Sequence, residues 1–100
     1  MKSKLDDRRV ELMTILNEEC GEVVQASSKL LRFGESKHFQ ELEKELGDLQ
    51  CMIDLCVEFG YATRGGVREG SKSKRRKLNQ FSNLFTAIDN VGINYESMKQ

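Results

Sequence analysis

One hundred residues bound the chain to a single domain with a thin core, because a chain this short buries only about two-thirds of the surface it exposes when unfolded. Hydrophobic residues at 38% and charged residues at 32% give a soluble, foldable balance, and the absence of Pro points to an all-α fold. No signal peptide and no apolar run of membrane-spanning length is present, which excludes a membrane partner and leaves a cytoplasmic location as the expectation.

The zero net charge hides an asymmetry. Residues 1–60 carry 8 Lys/Arg against 13 Asp/Glu, and residues 61–100 carry 8 against 3. An acidic part followed by a basic part suits a metal plus phosphate, a nucleic acid, or self-association. Cys20, Cys51 and Cys56 are odd in number and lack zinc-site spacing with the single His38, so they read as small buried hydrophobes in a reducing compartment. His38 itself reads as an exposed, idle side chain near a helix start.

Ser3 followed by Asp6 opens the first helix. Met13, Leu16, Cys20, Val23, Ser27 and Leu30 then recur at alternating spacings of three and four, which predicts one buried stripe on a helix from about Leu5 to about Arg32. Gly34 ends it. Ser36 is the expected cap of a second helix with the stripe Leu42, Leu46, Leu49, Ile53 and Cys56, stopped by Gly60. The short connection makes the two helices antiparallel neighbours.

Residues 61–74, with Gly65, Gly66 and Gly70 among Arg, Lys and Ser, read as a flexible basic loop within the single domain. A third helix is expected from about Ser73 to Val91, with Leu78, Phe81, Leu84, Phe85 and Ile88 on one face; Gly92 closes it, and Asn94 caps a last turn through Ser97. Such wide apolar faces predict an antiparallel helical bundle completed by dimerisation or tetramerisation.

The chemistry lies in two matched segments. Glu19-Cys-Gly-Glu22-Val23 and Glu45-Leu-Gly-Asp48-Leu49 agree in position type throughout. In each, two carboxylates three residues apart precede stripe residues by one position, so both pairs flank the seam on the same side. The helical glycines Gly21 and Gly47 cost about 1 kcal/mol each against alanine, which suggests a close approach to the backbone there. Carboxylates that face one another repel and raise one another's pKa, and a hard divalent cation such as Mg²⁺ resolves the repulsion.

These residues resemble the all-α nucleoside triphosphate pyrophosphatases, and most closely the MazG-like short forms. The likeness lies in Glu18-Glu19-Cys-Gly-Glu22-Val-Val-Gln-Ala with Lys29-Leu-Leu-Arg-Phe-Gly34, and in Leu42-Glu-Lys-Glu45-Leu-Gly-Asp48-Leu49. It covers residues 8–60 and continues more loosely through Lys74–Ile88. The resemblance implies hydrolysis of a (d)NTP to (d)NMP and pyrophosphate in a bacterial cell or phage-infected host. It implies Mg²⁺, with Mn²⁺ as a substitute, on Glu19, Glu22, Glu45 and Asp48, one of which serves as general base. Glu18, off the stripe, is a supporting or surface residue. The chain departs from larger members in its shortness, so a partner subunit would have to complete the nucleotide pocket.

Lys29, seven residues after Glu22, is placed to reach a phosphate or to balance the acidic cluster. The run 72–77, with Lys72, Lys74 and Arg76, would clamp phosphates as such residues do in relatives, or else is a solvated helix start or a nucleic-acid patch, and Asn79 would bond a sugar or base. Phe33, Phe39 and Tyr61 are candidates for base stacking, or else for packing. Two other functions compete. One is phosphoribosyl-ATP pyrophosphohydrolysis, a sister activity of the same superfamily. The other is a non-catalytic helical adaptor that binds nucleotide or nucleic acid through its basic segment. The run 72–77 has no interleaved aromatics, so nucleic acid is not the expected partner.

Overall fold

The computed structural model describes residues 4–83, with side chains from residue 7 onward. Within that span the chain is all-helical, with three helices and no strand: α1 (Lys4–Phe33), α2 (Ser36–Glu58) and α3 (Arg64–Phe81). Ser3 of the start signature, and the expected helical positions Leu84, Phe85, Ile88, Val91 and Gly92 with the turn at Asn94, lie outside the described residues, while Asp6 is in the first turn of α1. The chain divides into two compact units, residues 1–62 and 63–100.

The first unit is the α1–α2 hairpin. Both of its turns rest on glycine. Gly34 has φ 66°, and its N–H donates to the Leu30 carbonyl at 2.9 Å, which closes α1 with a left-handed cap. Gly60 has φ 82° and closes α2 more fully. Its N–H donates to the Val57 carbonyl at 3.1 Å, and the Tyr61 N–H donates to the Cys56 carbonyl at 2.8 Å. That pair of bonds is a Schellman motif, and the apolar contact that usually accompanies it is here Tyr61 against the Leu12, Met52 and Cys56 cluster. The start of α2 differs from the expectation by one residue. Glu35, extended at φ −83° and ψ 148°, holds the cap position with no side-chain bond, and Ser36 is the first helical residue. The connector is too short to place Ser36 outside the helix.

Burial corrects the predicted stripes. On α1, Leu12 and Ala26 are buried, and Leu16, Glu19, Val23 and Leu30 are half-buried, while Cys20 is exposed. On α2, His38, Met52 and Cys56 are buried and Leu42, Glu45 and Leu49 are half-buried, while Leu46 is 48% exposed. Each set alternates in steps of four and three, the repeat of two packed antiparallel helices, and the predicted Met13, Ser27 and Ile53 are half-buried along its edges. The seam is therefore turned by one residue near its middle. Glu19 and Glu45 sit in it, where Cys20 and Leu46 were expected. Cys51 is also exposed, so only Cys56 is the buried small hydrophobe that all three cysteines were expected to be. His38 is buried rather than exposed because it completes the α2 repeat at its N-terminal end. Its ring stacks on Phe33 at 5.5 Å, and Nδ1 lies 3.4 Å from Glu41 Oε2.

The core is thin, as the chain length demands. No described side chain is fully buried, and only Leu12, Ala26, Met52 and Cys56 form the buried apolar set. A second apolar stripe remains exposed on one side of the hairpin. Val24 and Leu31 on α1, and Phe39 and Leu46 on α2, are each spaced by seven residues and lie off the seam toward the same side.

The second unit holds α3, and here the expected loop is a helix from Arg64 onward, while the helix expected to run on to Val91 stops at Phe81, where Ser82 is extended at φ −132° and ψ 150°. Thr63 supplies the cap that glycine-rich reading overlooked: its Oγ1 accepts from the Gly66 N–H at 2.9 Å. Glu69 and Lys72 then pair across one turn at 3.7 Å. Leu78 is half-buried and Phe81 exposed.

Gly21 and Gly47 face away from the seam, and a Cβ at either would meet nothing within 4 Å. The close approach expected at these glycines is absent among the described residues. Gly21→Ala and Gly47→Ala should each stabilise the hairpin by about 1 kcal/mol, a rise in Tm of about 4–8 °C in a circular-dichroism melt. Gly60→Ala, forced to a positive φ, should lower it.

Candidate metal centre

The site is built where the repeat of each helix places a carboxylate among apolar neighbours. Glu19 comes from the middle of α1, and Glu45 and Asp48 come from successive turns of α2. One oxygen from each of the three lies within 4.8 Å of the others. Glu22, the fourth expected member, is exposed on the next turn of α1 and is not part of this close group. It still acts on the cluster, because its charge helps raise the Glu19 pKa. Glu18 is exposed.

Glu19 carries the strain of this arrangement. Its Oε2 is shut off from solvent and accepts no hydrogen bond. Burial pushes its pKa above the ordinary value of 4.5, and the charges of Asp48, Glu45 and Glu22 push it further, with Lys44 opposing. Lys44 is a residue the sequence reading missed. Its Nζ donates to Asp48 Oδ2 at 3.0 Å and to Glu45 Oε1 at 3.3 Å. The bond to Asp48, then that to Glu45, holds the Lys44 pKa above its ordinary 10.5. The signal was available, since a lysine four residues before an acid on a helix is within pairing reach. Lys44 satisfies the α2 carboxylates and leaves the buried oxygen of Glu19 without a partner.

The donor set fits a hard divalent cation. Three carboxylates from facing helices supply oxygen ligands alone, the preference of Mg²⁺ and Mn²⁺. The orphaned Glu19 oxygen is the position a cation would satisfy. Glu19, Glu45 and Asp48 would hold such an ion, with Glu22 beside them.

On one side of the cluster a cleft of about 190 Å³ is lined by Glu22, Gln25, Ala26, Lys29, Glu41 and Glu45. Lys29 Nζ lies 4.0 Å from Glu41 Oε2 in an exposed pair, so it stands at the rim of the site, as its spacing from Glu22 implied. The other proposed substrate residues are on α3, in the second unit. Lys72, Arg76 and Asn79, spaced by four and three, share one exposed face, and Lys74 lies about 200° round the helix from Lys72. Of the stacking candidates, Phe33 is occupied by His38, Phe39 is exposed, and Tyr61 packs on the core with the Arg9 guanidinium 5.5 Å from its ring.

Compared with protein-family models, with curated proteins and with solved structures, the chain matches none.

The raised Glu19 pKa fixes a sign. Between 4.5 and its folded value the native state binds the extra proton, so the Glu19 contribution favours folding at low pH and is lost as pH rises through that value. Lys44 works in another window: its contribution is present below 10.5 and is lost as pH rises through its raised value. Without added metal, Glu19→Gln should therefore raise Tm at neutral pH, and the gap to the wild type should close as the pH falls below 4.5. A variant less stable than the wild type at pH 7 under chelation would contradict this.

Proposed function

We propose that the chain is a Mg²⁺-dependent nucleotide pyrophosphohydrolase of the MazG-like kind, cleaving a (d)NTP to (d)NMP and pyrophosphate. The observation that carries this reading is the convergence of Glu19, Glu45 and Asp48 within 4.8 Å across an antiparallel helix pair, with one buried Glu19 oxygen unsatisfied. Agreement of the sequence pattern around these residues with that family supports it. When bound, a divalent cation supplies neutralisation of the triphosphate and a water of lowered pKa.

The protein's own residues would then do the rest. Glu19, Glu45 and Asp48 fix the ion at the seam. Glu22, exposed on the adjoining turn, completes the ligand set or takes the proton of the attacking water. Lys29, at the rim, orients a phosphate as a point charge. Lys44 limits the repulsion of the cluster while no ion is bound. By the resemblance, Lys72, Lys74 and Arg76 would clamp the phosphates and Asn79 would bond the sugar or base. The exposed stripe of Val24, Leu31, Phe39 and Leu46 supports a homodimer or homotetramer of hairpins, and the reading places the protein in the cytoplasm.

A second reading is favoured by α3 alone. Its cationic face would suit an adaptor that binds nucleic acid, and such binding would weaken steeply with salt and need no metal.

The deciding experiment is pyrophosphate release from a (d)NTP panel that includes phosphoribosyl-ATP, with and without Mg²⁺ or Mn²⁺. Asp48→Asn should cost more than the ~10–100-fold that loss of an outer-shell partner costs a metal site. Mg²⁺ should raise the wild-type Tm and leave that of Asp48→Asn unmoved. Full turnover without a divalent ion, or unchanged turnover in Asp48→Asn, would remove the site from the mechanism.

A further inference from the structure

The cations of α3 are gathered on one side of it. The helix carries seven Lys/Arg against a single acid, Glu69. At about 100° per residue, Arg64, Arg68, Lys72, Arg75 and Arg76 fall within one arc of about 120°. All five are exposed, and they extend over about 18 Å of the helix axis. Glu69 stands just past one edge of the arc, where it pairs with Lys72 at 3.7 Å. Both side chains of that pair are more than half exposed, so it adds little and yields readily to a stronger anion. The apolar residues Val67, Leu78 and Phe81 occupy a different arc, about 60° wide, with Lys74 inside it.

We propose that the five-cation arc of α3 is a binding surface for the phosphate backbone of duplex DNA, used without regard to base sequence. The inference narrows the second reading above to one partner; it does not rest on the metal site. Charge complementarity comes first. A DNA duplex carries one negative charge per ~1.7 Å of its axis, so a stripe of this length never lacks a phosphate. Four of the five cations are arginines, whose planar guanidinium meets two phosphate oxygens at once. Shape comes second. A helix with its side chains is ~10–12 Å across, and the ~12 Å major groove of B-form DNA admits it. The deep, narrow major groove of duplex RNA does not. The arc holds no aromatic side chain on which unpaired bases could stack, which counts against single strands and is no bar to a duplex. A lipid surface fits less well, because the apolar arc is narrow and Lys74 interrupts it.

The test is fluorescence anisotropy of a short labelled DNA duplex, titrated with the full chain in EDTA at several salt concentrations. Binding should need no divalent ion. With all five cations on phosphates, log affinity against log salt should fall with a slope of about −4.5, a loss of roughly 500-fold between ~50 and ~200 mM. The double variant Arg68→Gln with Arg75→Gln should make that slope shallower by about 1.8. Lys77→Gln removes a charge from outside the arc and should leave the slope unchanged. Duplex RNA, single-stranded DNA and phosphatidylserine vesicles, at equal phosphate, should each compete less well than unlabelled duplex DNA. Absence of binding at low salt, a Lys77→Gln effect as large as that of one arginine, or a competitor that matches the duplex would overturn the proposal. So would loss of binding in Asp48→Asn, which would tie it to the acidic cluster. A chain that ignores DNA yet releases pyrophosphate from a (d)NTP would sink the DNA surface alone, so the two readings fail separately.

Discussion

Two glutamates sit in the helix–helix seam, and the arrangement of the hairpin follows from that. A repeat in steps of four and three normally fills every inward position with apolar side chains. In α1 and α2 it admits Glu19 and Glu45, and Asp48 adds a third carboxylate from the next turn. The charges repel, and burial at Glu19 makes the repulsion worse. Apolar packing above and below, through Leu12 with Met52 and through Ala26 farther along the seam, holds the carboxylates together against this. Local instability of this sort is common where a binding site is embedded in a fold, and here Lys44 relieves it only in part.

The two sides of the hairpin divide the remaining tasks. One side carries the acidic cluster and the cleft at Lys29. The other carries the exposed stripe of Val24, Leu31, Phe39 and Leu46. A side with clustered carboxylates and a side with an exposed apolar stripe can coexist on two helices because the apolar arc of each is wider than one seam requires. That same width made the sequence ambiguous. Cys20 fits a three-four repeat as well as Glu19 does, and periodicity alone favours the apolar member of that pair, whereas Met13 packs against the core beside Leu12 as expected.

The helices, both glycine stops and the antiparallel pairing of α1 with α2 were legible because each rests on a strong local signal: a long apolar repeat, or a glycine where the chain must adopt positive φ. The three clustered carboxylates were legible through the duplicated spacing. The depth of Glu19 was not, since an acid in a seam contradicts the burial rule by which seams are read. Lys44 was missed because a lysine one residue before Glu45 and four before Asp48 is an ordinary exposed helix position, and only the folded arrangement shows it donating to both. The start of α3 was missed because three glycines outweighed one Thr63 cap on paper, whereas the cap bond and the pair of Glu69 with Lys72 act together in the helix. The exposed Gly21 and Gly47 show the opposite error, since matched positions were read as evidence of contact.

The connector of Gly34 and Glu35 works as a ruler. Because it is so short, it fixes which level of α2 stands beside each level of α1. A step forward along one helix is matched by a step back along the other, from the turn to the open end. A longer connector would loosen that register, and the meeting of Glu45 and Asp48 with Glu19 would then rest on the seam packing alone. The position of the acidic cluster is thus set as much by the length of a turn more than a dozen residues from Glu19 as by the carboxylates themselves.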